Sequence, residues 1–130
     1  MVKIFLAGAG GFLGSILRYS LSGFVQDASR SIHFPYGTLA VNLIGCFAIG
    51  FLSQLAETRG LFTAETRTLV FVGVLGGFTT FSAFGYESVY LLRRNLFPVA
   101  ASYLMLSVLC GIAAVFAGMK LIDLLWPARH

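Results

Sequence analysis

The sequence predicts an all-α membrane protein of four transmembrane helices, and three observations carry that expectation. The chain of 130 residues is 58% hydrophobic and only 11% charged, whereas about a quarter of an average soluble domain is charged. Its mean hydropathy is +0.87. Its apolar residues fall into four segments, about 2–24, 36–56, 67–92 and 97–126, each close to the roughly 20 residues that cross a bilayer core. No linker or low-complexity tract separates them, so residues 1–130 read as one compact four-helix transmembrane domain.

The first segment opens with Lys3 before an apolar run, as a signal peptide would. The run continues past Arg18 with no clean small-x-small cleavage site, so a retained first span is expected. It carries Gly8, Gly10, Gly11 and Gly14. Gly10 and Gly14 form a small-xxx-small pair suited to close helix packing. A polar loop, Gln26–Pro35, leads to the second span. There Thr38, Asn42, Gly45 and Cys46 recur at spacings of three and four, on one helical face. The Asn42 amide must find partners in hydrocarbon, either as glue between helices or as a ligand group.

The third span is the most informative. Within VGVLGGFTTFSAFGYE, Val72–Glu87, a helix-weakening Gly76-Gly77 pair is followed by Thr79, Thr80 and Ser82, by Phe81 and Phe84, and by Glu87. The expectation is a helix broken mid-membrane. Non-helical backbone at that depth is tolerated only where it is buried in protein or lines a cavity. Carbonyls freed between Gly76 and Thr79 suit a monovalent cation such as sodium, and no carboxylate cluster offers a calcium or magnesium site. A kink without an ion fits the same residues. An aromatic ring has a negative face and a positive edge. Phe81 and Phe84, three apart, therefore offer two ring edges to an anion without a full positive charge; in a chain with 13 phenylalanines, ordinary packing is the alternative. Glu87 and Arg18 read as structural or vestibule charges rather than direct ligands.

Arg93-Arg94-Asn95 forms the last turn, and Pro98 is acceptable in the first turn of the fourth helix. Tyr103, Ser107, Gly111 and Ala114 share one face there, as a polar track or as a packing stripe. Trp126 suits the membrane interface.

Several function classes are excluded. The basic residues sit mostly between or beside the apolar runs and form no stripe interleaved with aromatics, so nucleic-acid binding is not expected. Cys46 and Cys110 sit mid-span without metal spacing, and His33 and His130 lie outside the spans. No nucleophile–base pair can be assembled, so the chain is not read as an enzyme, and no phosphate-binding loop implies ATP use. A small multidrug exporter would need a carboxylate in the first span, which has none. An assembly protein held by polar glue remains open.

Charge is nearly balanced across the membrane. Lys3, Arg59, Arg67, Lys120 and Arg129 fall on one side; Arg18, Arg30, Arg93 and Arg94 fall on the other. The positive-inside rule needs an excess to fix orientation. The expectation is insertion in both orientations and an antiparallel homodimer, unless one arginine outweighs the rest. A bundle of four helices has little room for an internal path, which independently favours an oligomer.

Three motifs then carry a resemblance across nearly the whole chain: G-x-x-L-R-Y at Gly14–Tyr19, G-T-L-x-V-N-L at Gly37–Leu43, and G-G-F-T-T-F-S-x-F at Gly76–Phe84 with Glu87 following. The sequence resembles the Fluc (CrcB) family of bacterial fluoride channels. The resemblance implies a dual-topology antiparallel homodimer in the cell inner membrane, passively exporting fluoride through two pores. It implies a structural sodium ion on the two-fold axis, held by backbone carbonyls of Gly76 and Thr79. Phe81 and Phe84 would be ring-edge fluoride ligands and Asn42 a hydrogen-bond donor. Thr38, Thr80, Tyr103 and Ser107 would line the path, with Arg18 in a vestibule. Gly111 departs from relatives that carry serine there, which interrupts a hydroxyl track along the fourth span.

Overall fold

The computed structural model describes residues 1–127; Arg129, counted above in the charge balance, and His130 lie outside the described residues. Helix α1 spans Val2–Ser29 and α2 spans Tyr36–Arg59. The third apolar segment holds α3 (Ala64–Arg67), a π-helical stretch (Thr68–Leu75), α4 (Gly76–Phe78) and α5 (Phe81–Arg93). Helix α6 spans Phe97–Leu125. Four helical units are thus long and apolar enough to cross a membrane. The chain is a multi-pass membrane protein.

Local chemistry explains the ends. Helix α1 continues past Phe24 because its polar last turn extends to Ser29, where Arg30 turns left-handed. Helix α2 stops at Gly60, whose φ of +61° suits a residue without Cβ. Thr63 caps α3 by accepting from the Thr66 N–H at 3.2 Å. Asn95, at φ +59°, turns the chain from α5 toward α6.

Lipid gives apolar side chains no reason to leave it, so these helices associate through close packing and polar contacts. Helix α1 lies on the π-helical stretch and α4, with Gly10 against Leu69 and Gly73 and Gly14 against Val74 and Phe78. Helices α2 and α6 pack along their length, with Gly50 against Val115 and Gly118 against Phe47 and Phe51. A Cβ at any of these four glycines would meet backbone of the facing helix. The core of the other end is Leu39, Leu91, Ala100 and Tyr103, with Phe34 and Phe84 against it. Outward faces are apolar, with Phe5, Phe12 and Ile16 on α1 and Met105, Leu109 and Phe116 on α6.

Gly76 and Gly77 themselves remain helical. The Gly76 N–H reaches Gly73 O and Phe71 O, and Gly77 packs on the Gly11 backbone. The extended residues are the two that follow, Thr79 (φ −87°, ψ 159°) and Thr80 (φ −148°, ψ 113°). Helix α5 then restarts, capped by the Thr80 hydroxyl accepting from the Ala83 N–H at 3.2 Å.

Candidate functional site

Helices α2 and α6 run in the same direction, so residues four apart on each stack into layers about one helical turn, roughly 5.4 Å, apart. Thr38 and Tyr103 make one layer. Asn42 and Ser107 make the next, and Cys46 and Gly111 the one after, where a Cβ on Gly111 would sit 3.5 Å from Cys46 Sγ. The α4–α5 junction faces the first two layers.

In the outer layer, Glu87 on α5 joins three spans. Its Oε1 accepts from Thr38 Oγ at 2.7 Å and its Oε2 accepts from the Tyr103 hydroxyl at 2.6 Å. Thr38 is 7% exposed and Tyr103 is fully buried. Both hydroxyls spend their hydrogens on this carboxylate, so they present only lone pairs elsewhere. Phe34 packs edge-on against Tyr103, with ring centroids 5.6 Å apart. The loop carrying Phe34 is held by Gln26, which donates to Ser31 O and Phe34 O and accepts from the Gly37 N–H. That last bond satisfies an N–H in the first turn of α2, where Pro35 brings no capping side chain. A cleft of about 840 Å³ opens here, lined by Arg18, Ser22, Gln26, Thr38, Thr80 and Glu87 among others.

In the inner layer, Asn42 and Thr80 bond reciprocally. Asn42 Nδ2 donates to Thr80 O at 3.0 Å, and the Thr80 N–H donates to Asn42 Oδ1 at 2.8 Å. Nδ2 carries a second hydrogen. Gly45, the residue before Cys46 on α2, has no Cβ and so admits the Thr79 methyl. A second cleft, about 390 Å³, is lined by Asn42, Gly76, Thr79, Thr80, Phe81, Phe84 and Ser107, with Cys46 among its other residues. The Phe81 and Phe84 rings lie 5.7 Å apart at 44°. Ser107 Oγ is buried with no hydrogen-bond partner among the described residues, a cost on the order of 1–3 kcal/mol unless a ligand or water satisfies it. Thr80 lines both clefts.

The structure therefore gathers Asn42, Thr80, Phe81, Phe84, Ser107, Gly76 and Thr79 around one cleft. It sets Thr38 and Arg18 on the other, and buries Tyr103 behind Glu87. Sequence reasoning left Glu87 without partners and overlooked Gln26. The sequence signals Glu87 only as a lone carboxylate one turn beyond Phe84 and gives no sign of its partners.

The backbone at the junction suits a monovalent cation. A continuous helix would give Gly76 O the Thr80 N–H and Thr79 O the Ala83 N–H. Those donors go instead to Asn42 Oδ1 and Thr80 Oγ1. The two carbonyls are neutral oxygen donors, and among the described residues no three His, Cys, Asp or Glu side chains cluster as a harder metal would need.

Comparison with known proteins decides the family. The sequence profile of the family described as CrcB-like protein, Camphor Resistance (CrcB), matches residues 5–119. The chain belongs to the CrcB family. Relatives span essentially the same length. A Methylobacillus flagellatus protein named fluoride-specific ion channel FluC is 41% identical over 98% of this chain and 100% of its own. One from Desulforapulum autotrophicum with the same name is 48% identical over 92% and 93%. A Methanosarcina acetivorans protein, fluoride-specific ion channel FluC 1, is 47% identical over 91% and 88%.

Proposed function

We propose that this chain is a fluoride-specific ion channel of the cell inner membrane that passively exports cytosolic fluoride and so limits its toxicity. The supporting observation is the unpartnered Ser107 hydroxyl, buried beside the Asn42 amide and the Phe81 and Phe84 rings. The names of the CrcB relatives, fluoride-specific ion channels, support the fluoride channel in this reading.

Fluoride is small and strongly hydrated, so a path must replace its water with donors. Ser107 and the second Asn42 N–H supply hydrogen bonds, and ring edges supply partial positive charge. Among the described residues, no full positive charge lines this cleft to trap the anion. Arg18 beside the larger cleft raises the local anion concentration at the entrance. The Thr38 and Tyr103 hydroxyls, both donating to Glu87, shape the path rather than donate to it.

The working unit in this reading is an antiparallel homodimer inserted in both orientations, with the third helix broken mid-membrane at Thr79–Thr80. Phe81 is 83% exposed in the single chain, and a second copy would close its cleft. Gly76 and Thr79 carbonyls of each chain would hold a structural sodium, which supplies a positive charge bridging the two copies.

Fluoride efflux from liposomes holding the purified protein tests the reading, with a potassium ionophore carrying counter-charge. Fast fluoride efflux without chloride efflux is expected. No efflux from a folded dimer would leave the polar layers as glue between helices.

A further inference from the structure

We propose that Asn42, on α2, is a positioning residue that sets the cation affinity of the Gly76 carbonyl, by taking the backbone donor that would otherwise occupy it. The inference rests on the sodium reading given above.

In an uninterrupted helix the Thr80 N–H would bond Gly76 O. Here it bonds Asn42 Oδ1 at 2.8 Å, and Asn42 Nδ2 returns to Thr80 O at 3.0 Å. One side-chain amide thus holds both backbone polar groups of Thr80, which keeps that residue extended at φ −148°, ψ 113°. The neighbouring residue is fixed as well. The Thr79 N–H and hydroxyl both return to Leu75 O, at 3.0 and 2.9 Å, and Gly45 of α2 leaves space for the Thr79 methyl.

Removing the amide changes which closure is cheapest. Thr80, half-buried inside the helix bundle, would carry an N–H without a protein partner, a state that costs free energy wherever water does not replace the bond. The nearest acceptor by helical geometry is Gly76 O, so the helix would continue, and that bond would take one of the carbonyl's two lone pairs and weaken its hold on a cation. The Asn42 amide therefore serves two ions. Its oxygen frees a cation ligand through Thr80, and its second N–H remains for an anion in the cleft. Fluoride passage and cation binding are coupled through one side chain.

The sequence permits a direct test. It holds only two Gly–Gly peptides, Gly10–Gly11 and Gly76–Gly77. Glycine labelled with carbonyl carbon-13 and nitrogen-15 therefore reports the Gly76 carbonyl beside an internal control at Gly10. Sodium is titrated into protein prepared with N-methylglucamine as the only cation, and dimer content is followed by size exclusion. In the wild type, the Gly76 carbonyl resonance shifts with sodium and that of Gly10 does not. In Asn42→Leu, the sodium midpoint rises about tenfold or more, the equivalent of one hydrogen bond to a half-buried backbone group. Asn42→Asp keeps an oxygen for the Thr80 N–H, so it retains the sodium response while losing fluoride passage; it also serves as the test if the leucine variant does not fold. A wild-type sodium response unchanged in Asn42→Leu, or absent in a folded Asn42→Asp, overturns the coupling alone. No response in the wild type overturns the sodium reading and the coupling with it.

Discussion

Phe81 and Asn42 line the same cleft but answer to different tests. Phe81 makes no polar contact that the fold needs, and its ring is 83% exposed in the single chain. Phe81→Ile should therefore leave the folded dimer intact while cutting fluoride efflux from liposomes by about a hundredfold or more, because isoleucine has no electropositive ring edge. Wild-type efflux in that variant would remove the ring from the path. Glu87 behaves in the reverse way. Glu87→Ala leaves the buried Thr38 and Tyr103 hydroxyls without their acceptor, and should lower thermal stability by about 1–2 kcal/mol in a membrane setting. Glu87→Gln keeps one carbonyl oxygen and should lose about half of that, as read by thermal unfolding in detergent. Asn42 and the phenylalanine pair were legible in the sequence because each is unusual for its place, an amide or paired rings beside small residues. The work of Glu87 was not, because its two partners lie 49 and 16 residues away on other spans, and spacing along one helix carries no information about which neighbour it meets.

At the scale of helices, close approach of backbone is the organising contact. The Gly10/Gly14 pair announced a packing face in the sequence, and the structure seats it on the π-helical stretch. The expected function of Gly76-Gly77 as the interruption itself turns out differently. Both stay helical because Gly77 is needed flat against Gly11, while the extended conformation falls on Thr79 and Thr80, whose backbone groups find side-chain partners in Asn42 and in the Thr80 hydroxyl. That choice was illegible because it depends on a residue 38 positions upstream. Gly50 and Gly118 set the register of α2 against α6, and so the alignment of the polar layers above them. Gly118→Val should destabilise by about 1–3 kcal/mol through overpacking. Gly8→Ala, with open space around it, should be neutral or slightly stabilising, by up to about 1 kcal/mol. Thermal unfolding of both variants in one detergent decides it; equal losses would mean that helix propensity, not contact, governs these positions.

At the scale of the whole molecule, a single chain leaves its most specific residues on an open flank. The smaller cleft is unroofed at Phe81, and the near-equal split of basic residues between the two sides gives no strong instruction for one orientation. These two facts explain each other if oppositely oriented copies close each other's clefts. The charge balance was legible in the sequence; the open cleft needed the fold. Biasing the charge tests the pair together. Adding two lysines at the C-terminus should drive that end to the cytosol, and adding two lysines in the loop after α1 should drive it outward. Each biased chain expressed alone should lose most fluoride efflux, because only one orientation accumulates. Co-expression of the two should restore efflux toward the wild-type level, with compartment-specific reporters on the C-termini confirming opposite orientations. Full efflux from either biased chain alone, with its reporter confined to one compartment, would mean that a parallel assembly or a single chain suffices, and Phe81 would then have to be covered by lipid.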